Sequence, residues 1–158
     1  MKNIFEEFIP QAEEIKERLY RIAYLYLANE SSAIEAVDEA IYQAYHNIKK
    51  LRQVEYFKTW LTRILINVCK KELRRLKREK LLAEFTEGKV EDYDGLPLKE
   101  AIAKLPEELR IIIILRYFND LTVVQTAEIL KLPQGTVATR QRKALNLLKL
   151  ELEDNYNE

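Results

Sequence analysis

Apolar positions along this chain recur mainly at intervals of three and four, the period of helices that bury one face. Phe5, Phe8, Ile9, Ala12, Ile15, Leu19, Ile22, Ala23 and Tyr26 trace the first stripe. Pro10 lacks a backbone donor and is expected to split this stretch into a short helix and a longer one. Residues 29–32 read as a turn rich in capping side chains, with Ser32 and Glu35 at capping-box spacing. The next helix is predicted to run to about Ile48, with Ile34, Val37, Ala40, Ile41, Ala44 and Tyr45 inward. A loop follows near residues 49–55. A long helix is then predicted from near Tyr56 to about Glu84, with Phe57, Trp60, Leu61, Ile64 and Val68 on its core side.

Residues 86–97 lose all periodicity and contain Gly88, Gly95 and Pro97, the signature of a flexible linker. Periodicity returns with a short helix over residues 98–105. Pro106, Glu107 and Glu108 suit the first turn of another, where proline is tolerated and acids meet the positive end of the helix dipole. The β-branched run at 111–114 has the composition of a buried strand. Its place between that helix start and the Asn119-Asp120 turn favours a buried helix. The most informative stretch is LTVVQTAEILKLPQGTVATRQRKALNLLK, residues 121–149. Thr122 and Gln125 form a capping box, and Val123, Thr126, Ala127 and Leu130 share a face. Pro133 interrupts the helix and Gly135 is expected to ease the restart. The second helix places Val137, Ala144 and Leu148 on one face, with Gln141 breaking that stripe. Ala138, Thr139, Arg142, Lys143 and Asn146 lie opposite. The predicted class is all-α: two small helical bundles over 1–84 and 98–154, joined by a linker over 85–97.

Composition narrows the class. Of 158 residues, 47% are hydrophobic and 33% charged, which suits a helical globular protein, and three glycines leave little for a many-turned β fold. Cys69 and His46 are single, excluding an internal disulfide or a Cys/His zinc site and fitting a reducing cytoplasm. The start, MKNIFEEFIPQAEE, is acidic and has no apolar core, so no signal peptide is expected. No apolar run reaches the roughly 18 residues of a membrane span, so no direct membrane insertion is expected. No nucleophile–base pair, metal cluster or phosphate-cradling glycine loop is evident, so neither catalysis nor a cofactor is expected.

Net charge is zero, but its signs are segregated. Residues 63–80 hold Arg63, Lys70, Lys71, Arg74, Arg75, Lys77, Arg78 and Lys80 against Glu72 and Glu79. Residues 84–100 hold Glu84, Glu87, Glu91, Asp92, Asp94 and Glu100 against Lys89 and Lys99. Residues 131–149 carry Lys131, Arg140, Arg142, Lys143 and Lys149 and no acid; the tail at 151–158 is acidic again. Two basic blocks thus flank an acidic connector, an order that a uniformly solvated bundle does not need.

In the long helix, Arg63, Asn67, Lys70 and Arg74 are spaced four, three and four, so they share a face. Lys77 continues the line, with Lys71 and Arg78 beside it. Cations in such a stripe match the phosphates of one strand, and an asparagine among them can pair with an adenine edge. Of the neighbouring rings, Phe57 and Trp60 fall on the apolar stripe, leaving Tyr56 to stack on an unpaired base. A basic helix after a tight turn is what a helix-turn-helix presents to a major groove. The same pattern also occurs in plain bundles with solvated basic faces.

Together these strings resemble a bacterial RNA polymerase sigma factor of the extracytoplasmic-function type, from Leu19 to Leu150. AIEAVDEAIYQAY looks like that family's polymerase-docking helix. FKTWLTRILINVCKKELRR is similar to its −10-reading helix. AIAKLPEELRIIIILRYFNDLT with GTVATRQRKAL looks like its −35-reading domain. The resemblance implies polymerase contacts at Glu35, Asp38, Glu39 and Tyr42. It implies −10 contacts at Tyr56, Arg63, Asn67, Lys70, Lys71 and Arg74, and −35 contacts at Thr136, Ala138, Thr139, Arg140, Arg142 and Lys143. It implies core RNA polymerase, promoter DNA and an anti-sigma factor, often membrane-anchored, as partners. Four positions depart from the pattern. Glu35 and Asp38 stand where the family usually has Asp and Gln, Ala138 where it has a base, and Gln141 where it has an apolar residue. Two other readings remain open at this point: a stand-alone helix-turn-helix regulator binding paired half-sites, and a helical adaptor that binds only proteins.

Overall fold

A computed structural model of the protein describes residues 4–82 and 97–156. These residues are helical throughout apart from short connections, with no strand among them. They fall into two compact units. The acidic linker expected over 85–97 lies, except for Pro97, outside the described residues.

The first unit consists of α1 (Ile4–Leu27), α2 (Glu30–His46) and α3 (Phe57–Leu82), each packed on the other two. Two 3-10 turns, Ile48–Lys50 and Val54–Tyr56, connect α2 to α3. Pro10 does not split α1, which is one continuous helix. The lost backbone bond is tolerated because Phe8 and Ala12, on either side, carry the buried stripe through it, while Pro10 itself is exposed. Ile9, expected inward, is 64% exposed. The N-cap of α2 is Asn29, whose Oδ1 accepts from the Ser32 N–H at 2.8 Å; Ser32 is not the cap but a buried first-turn residue.

The inward face of α2 is also not the one the large apolar residues suggest. Ala33, Ala36, Val37, Ala40 and Ala44 are buried, while Ile34 and Tyr45 are each 48% exposed. Small residues allow the helices to approach closely, and that contact line sets the rotation. On α3 the buried line is Phe57, Leu61, Leu65, Cys69 and Leu73, at strict intervals of four; Trp60, Ile64 and Val68 are half-buried at its margin. Lys58 Nζ meets Glu14 Oε1 at 2.8 Å across α1 and α3, and this ammonium holds the Glu14 carboxyl below the usual carboxylate range.

The second unit consists of α4 (Pro97–Lys104), α5 (Glu107–Ile113), α6 (Val123–Leu130) and α7 (Gln134–Tyr156). The run at 111–115 is helical, not a strand, and each residue is at most 4% exposed. A helix apolar on all sides belongs at the centre of a bundle. It widens into a π-helical turn, Ile114–Phe118. Asn119 Nδ2 donates to the Ile114 carbonyl at 3.2 Å, and Leu121 N donates to the Leu115 carbonyl at 3.2 Å, closing that end. Arg110 Nη2 donates to the Ala103 and Leu105 carbonyls, each at 3.0 Å, satisfying the end of α4.

Thr122 and Gln125 form the expected capping box: Gln125 N donates to Thr122 Oγ1 at 3.1 Å and Thr122 N to Gln125 Oε1 at 2.9 Å. The tight turn after α6 places Lys131 in the left-handed region, φ 55°. Leu132 N donates back to the Ala127 carbonyl at 3.0 Å, a Schellman-type closure. Gly135, expected to ease the restart, lies within the first turn of α7, where a Cβ would meet only open space. Chain reversal is complete at Lys131, before the glycine.

Candidate nucleic-acid interface

The first candidate surface is on α7. Val137 and Ala144 are fully buried and Leu148 nearly so, which fixes the helix's rotation. Thr139, Arg142 and Lys143 consequently face solvent, with Thr136, Ala138 and Arg140 half-buried beside them. Among the described residues no carboxylate pairs with Arg140, Arg142 or Lys143; the acid that α7 does pair, Glu151, meets Lys104 at 2.6 Å farther along. Thr139, Arg142 and Lys143 thus form an exposed face at the start of a helix that follows a tight turn, with Thr136, Ala138 and Arg140 at its margins. Gln141, which breaks the apolar stripe, is half-buried. Its side chain bonds Arg116 at 2.7 Å and Tyr117 at 3.2 Å.

The second surface is on α3. Asn67, Lys70, Lys71 and Arg74 are exposed and Arg63 is half-buried, along the side opposite the Leu61-Leu65-Cys69 line. Tyr56, in the turn just before α3, is 58% exposed. Phe57 is buried as expected, edge-on to Phe8 at 5.4 Å. Trp60 is only half-buried, beside Phe57 with ring centroids 6.2 Å apart, so its outer edge borders the stripe. The sequence pattern assigned it to the core because its spacing fits either place.

Not every base in the block is available to a ligand. Arg75 is held by Glu72, with Nη2–Oε1 at 2.5 Å and Nε–Oε2 at 3.1 Å, and also by Glu79. Its guanidinium is the main reason that the Glu72 carboxyl lies below the usual range, and the Ser32 hydroxyl adds to it. Lys70, Lys71 and Arg74 have no such carboxylate partner among the described residues.

The third surface is on α2. Glu35, Asp38, Glu39 and Tyr42 are all exposed, three and four apart, on the side away from the alanine seam. Tyr42 is 61% exposed and meets His46 edge-on at 4.3 Å. Ile34, with Tyr20, Val37 and Asp38, lines a shallow groove of about 420 Å³ between α1 and α2. Glu13, Lys16 and Glu17 complete its lining, so the exposed Ile34 side chain stands among charged residues. Pattern reading missed Ile34 because it placed that residue in the core.

Two family models match separate stretches of the chain. The family model described as Sigma-70 region 2 matches residues 12–79, and that described as Sigma-70, region 4 matches residues 101–150. The chain is 34% identical over 142 residues to RNA polymerase sigma factor SigV of Bacillus subtilis, covering 87% of this chain and 86% of that protein. It is 28% identical over 163 residues to the ECF RNA polymerase sigma factor SigW of the same species, covering 88% and 85%. Among solved structures, its fold is similar to that of the sigma factor RpoE from Bartonella quintana, solved in complex with the anti-sigma factor NepR. The TM-score is 0.80 at 20% identity, over 94% of this chain and 98% of that one. It is also similar to CnrH, solved in complex with the cytosolic domain of CnrY, with a TM-score of 0.71 at 20% identity over 93% and 88%.

Proposed function

The chain belongs to the sigma-70 family of bacterial RNA polymerase sigma factors, in its extracytoplasmic-function type, and from that membership we propose how its three surfaces divide the work. As a sigma factor it binds core RNA polymerase and directs it to initiate transcription at specific promoters. Sigma factors are in general not enzymes; the bond-forming chemistry is the polymerase's. Membership leaves the stand-alone regulator and the adaptor without support.

The observation that carries the division is the pair of basic helix faces, one in each unit, whose central cations have no carboxylate partner among the described residues. Thr139, Arg142 and Lys143 read the −35 major groove, with Thr136 and Arg140 holding backbone or neighbouring side chains. Ala138 supplies only a methyl where a longer side chain would reach a base, which shifts promoter choice. Asn67, with Arg63, Lys70, Lys71 and Arg74, engages the −10 element as it opens, and Tyr56 with the edge of Trp60 stacks on an unpaired base. Glu35, Asp38, Glu39 and Tyr42 dock on core polymerase. Residues 1–84 then form the docking and −10 module, 98–154 the −35 module, and 85–97 the tether.

The factor acts in the cytoplasm, where the polymerase works; among the described residues no helix is long and apolar enough to cross a membrane. RpoE was solved in complex with the anti-sigma factor NepR and CnrH in complex with the cytosolic domain of CnrY, and an anti-sigma factor, membrane-anchored or not, is the corresponding second partner for this chain. The test is substitution. Arg142→Ala and Lys143→Ala should each reduce promoter-dependent transcription about tenfold, the size of one lost base or phosphate contact, with polymerase binding intact. Loss of polymerase binding in either variant would place α7 in the wrong role.

A further inference from the structure

The seam that seats α7 contains one polar residue. Its inward positions are Val137, Gln141, Ala144 and Leu148, and three of the four are buried and apolar. A glutamine merely tolerated there would turn its amide to water. Instead both ends are engaged. Arg116 Nε donates to Gln141 Oε1 at 2.7 Å, and Gln141 Nε2 donates to Tyr117 Oη at 3.2 Å. Arg116 Nη1 donates to the Leu121 carbonyl at 2.5 Å, and its guanidinium carbon lies 5.9 Å from the Tyr117 ring centroid.

The placement of these groups matters. Arg116 and Tyr117 stand on the π-helical turn Ile114–Phe118, and Leu121 immediately precedes the Thr122 cap of α6. One half-buried guanidinium therefore grips the start of α6 and the middle of α7 together. Gln141 sits directly between Arg140 and Arg142, two of the proposed DNA-facing cations. Apolar contacts made by valine and alanine are non-directional and leave a helix free to roll or slide slightly. A planar guanidinium bonded to an amide oxygen fixes both.

We propose that Gln141 is a positioning residue for −35 recognition, which through Arg116 sets the rotation and slide of α7 against α6. This rests on the reading of α7 as the −35 helix. Gln141 touches no DNA in this role; it aims Arg142 and Lys143.

The test uses the full chain on core polymerase, transcribing a promoter library randomised across the −35 element, with transcripts sequenced. Gln141→Leu should fold with an undiminished melting temperature and bind polymerase normally. Its enrichment of preferred −35 sequences should fall about tenfold, the scale of one charge-assisted hydrogen bond. Gln141→Glu, which keeps an acceptor for Arg116, should retain the wild-type preference. Arg116→Lys keeps the charge but not the fork, and should lose selectivity as Gln141→Leu does, which keeps the test decisive if the leucine variant folds poorly. Wild-type preference in Gln141→Leu and Arg116→Lys, or losses that merely follow melting temperature across all three variants, would overturn the proposal. Arg142→Ala in the same library separates the two claims. If it abolishes −35 preference while Gln141→Leu keeps it, only the role of Gln141 fails; if it has no effect, the −35 reading of α7 fails and this inference with it.

Discussion

Cys69 and Thr126 show what burial does to single groups. Cys69, 2% exposed on the inward face of α3, has its thiol pushed from the ordinary value of 9.0 up to about 12, first by desolvation and then by the nearby Glu72 carboxylate. The folded thiol keeps its proton where the unfolded one would lose it. Its contribution to stability is therefore complete below about pH 9 and declines as pH rises toward 12. Urea unfolding at pH 8 and pH 10.5 should show about 2 kcal/mol more loss in the wild type than in Cys69→Ala; equal losses would mean that the thiol ionises freely. Thr126 is fully buried, and its hydroxyl has no hydrogen-bond partner among the described residues. Thr126→Val should raise stability by about 1 kcal/mol in denaturant titration, because it removes an unsatisfied polar atom at nearly constant volume. At this scale the sequence was readable where partners are close in the chain. Thr122 and Gln125 could be paired on sight, three residues apart. Gln141 was visible as a break in an apolar stripe, but Arg116 and Tyr117 lie more than twenty residues away, and only folding brings them together.

Among the elements, helix positions were legible and helix rotations were less so. The periodicity located α1, α2, α3, α6 and α7 to within a few residues, and the place of residues 111–114 between a helix start and a turn marked them as helix, not strand. It placed Val37, Ala40, Ala44, Phe57 and Leu61 inward as found, but it also drew in Ile34 and Tyr45, because the alanines that permit close approach on α2 are weak apolar signals beside them, and it put Trp60, Ile64 and Val68 in the core where they lie half-buried at its margin. It also treated Pro10 as a break, where buried neighbours on both sides carry the helix through. The basic stripe on α3 survived intact, since four-three-four spacing fixes a shared face whatever the helix packs on. What spacing could not reveal is that Arg75 is already occupied by Glu72 and Glu79. This yields a prediction about the stripe. With about six phosphates held by the two basic faces, the logarithm of promoter affinity of the polymerase complex should fall against log salt with a slope near −5. Arg74→Gln should make that slope shallower by about 1, whereas Arg75→Gln should leave it nearly unchanged. Equal effects would mean that the Glu72–Arg75–Glu79 clamp opens when DNA binds.

At the scale of the whole molecule, two helical units each carry one basic helix face, proposed above to meet DNA, and the first also carries the acidic, apolar-edged face of α2. The charge order along the sequence, basic, acidic, basic, sets one basic block in each of the two units. Neither unit alone presents both promoter elements, so the polymerase must fix their spacing, and the isolated chain should bind promoter DNA weakly. The most direct measurement is start-site mapping on genomic DNA fragments transcribed by core RNA polymerase with and without the full chain. The expected result is a small set of discrete start sites that appear only with the protein, share sequence near −10 and −35, and lose the −35 preference in Arg142→Ala and the −10 preference in Asn67→Ala. Start sites unchanged by adding the protein, or variants whose losses fall on the opposite element, would contradict this division of labour.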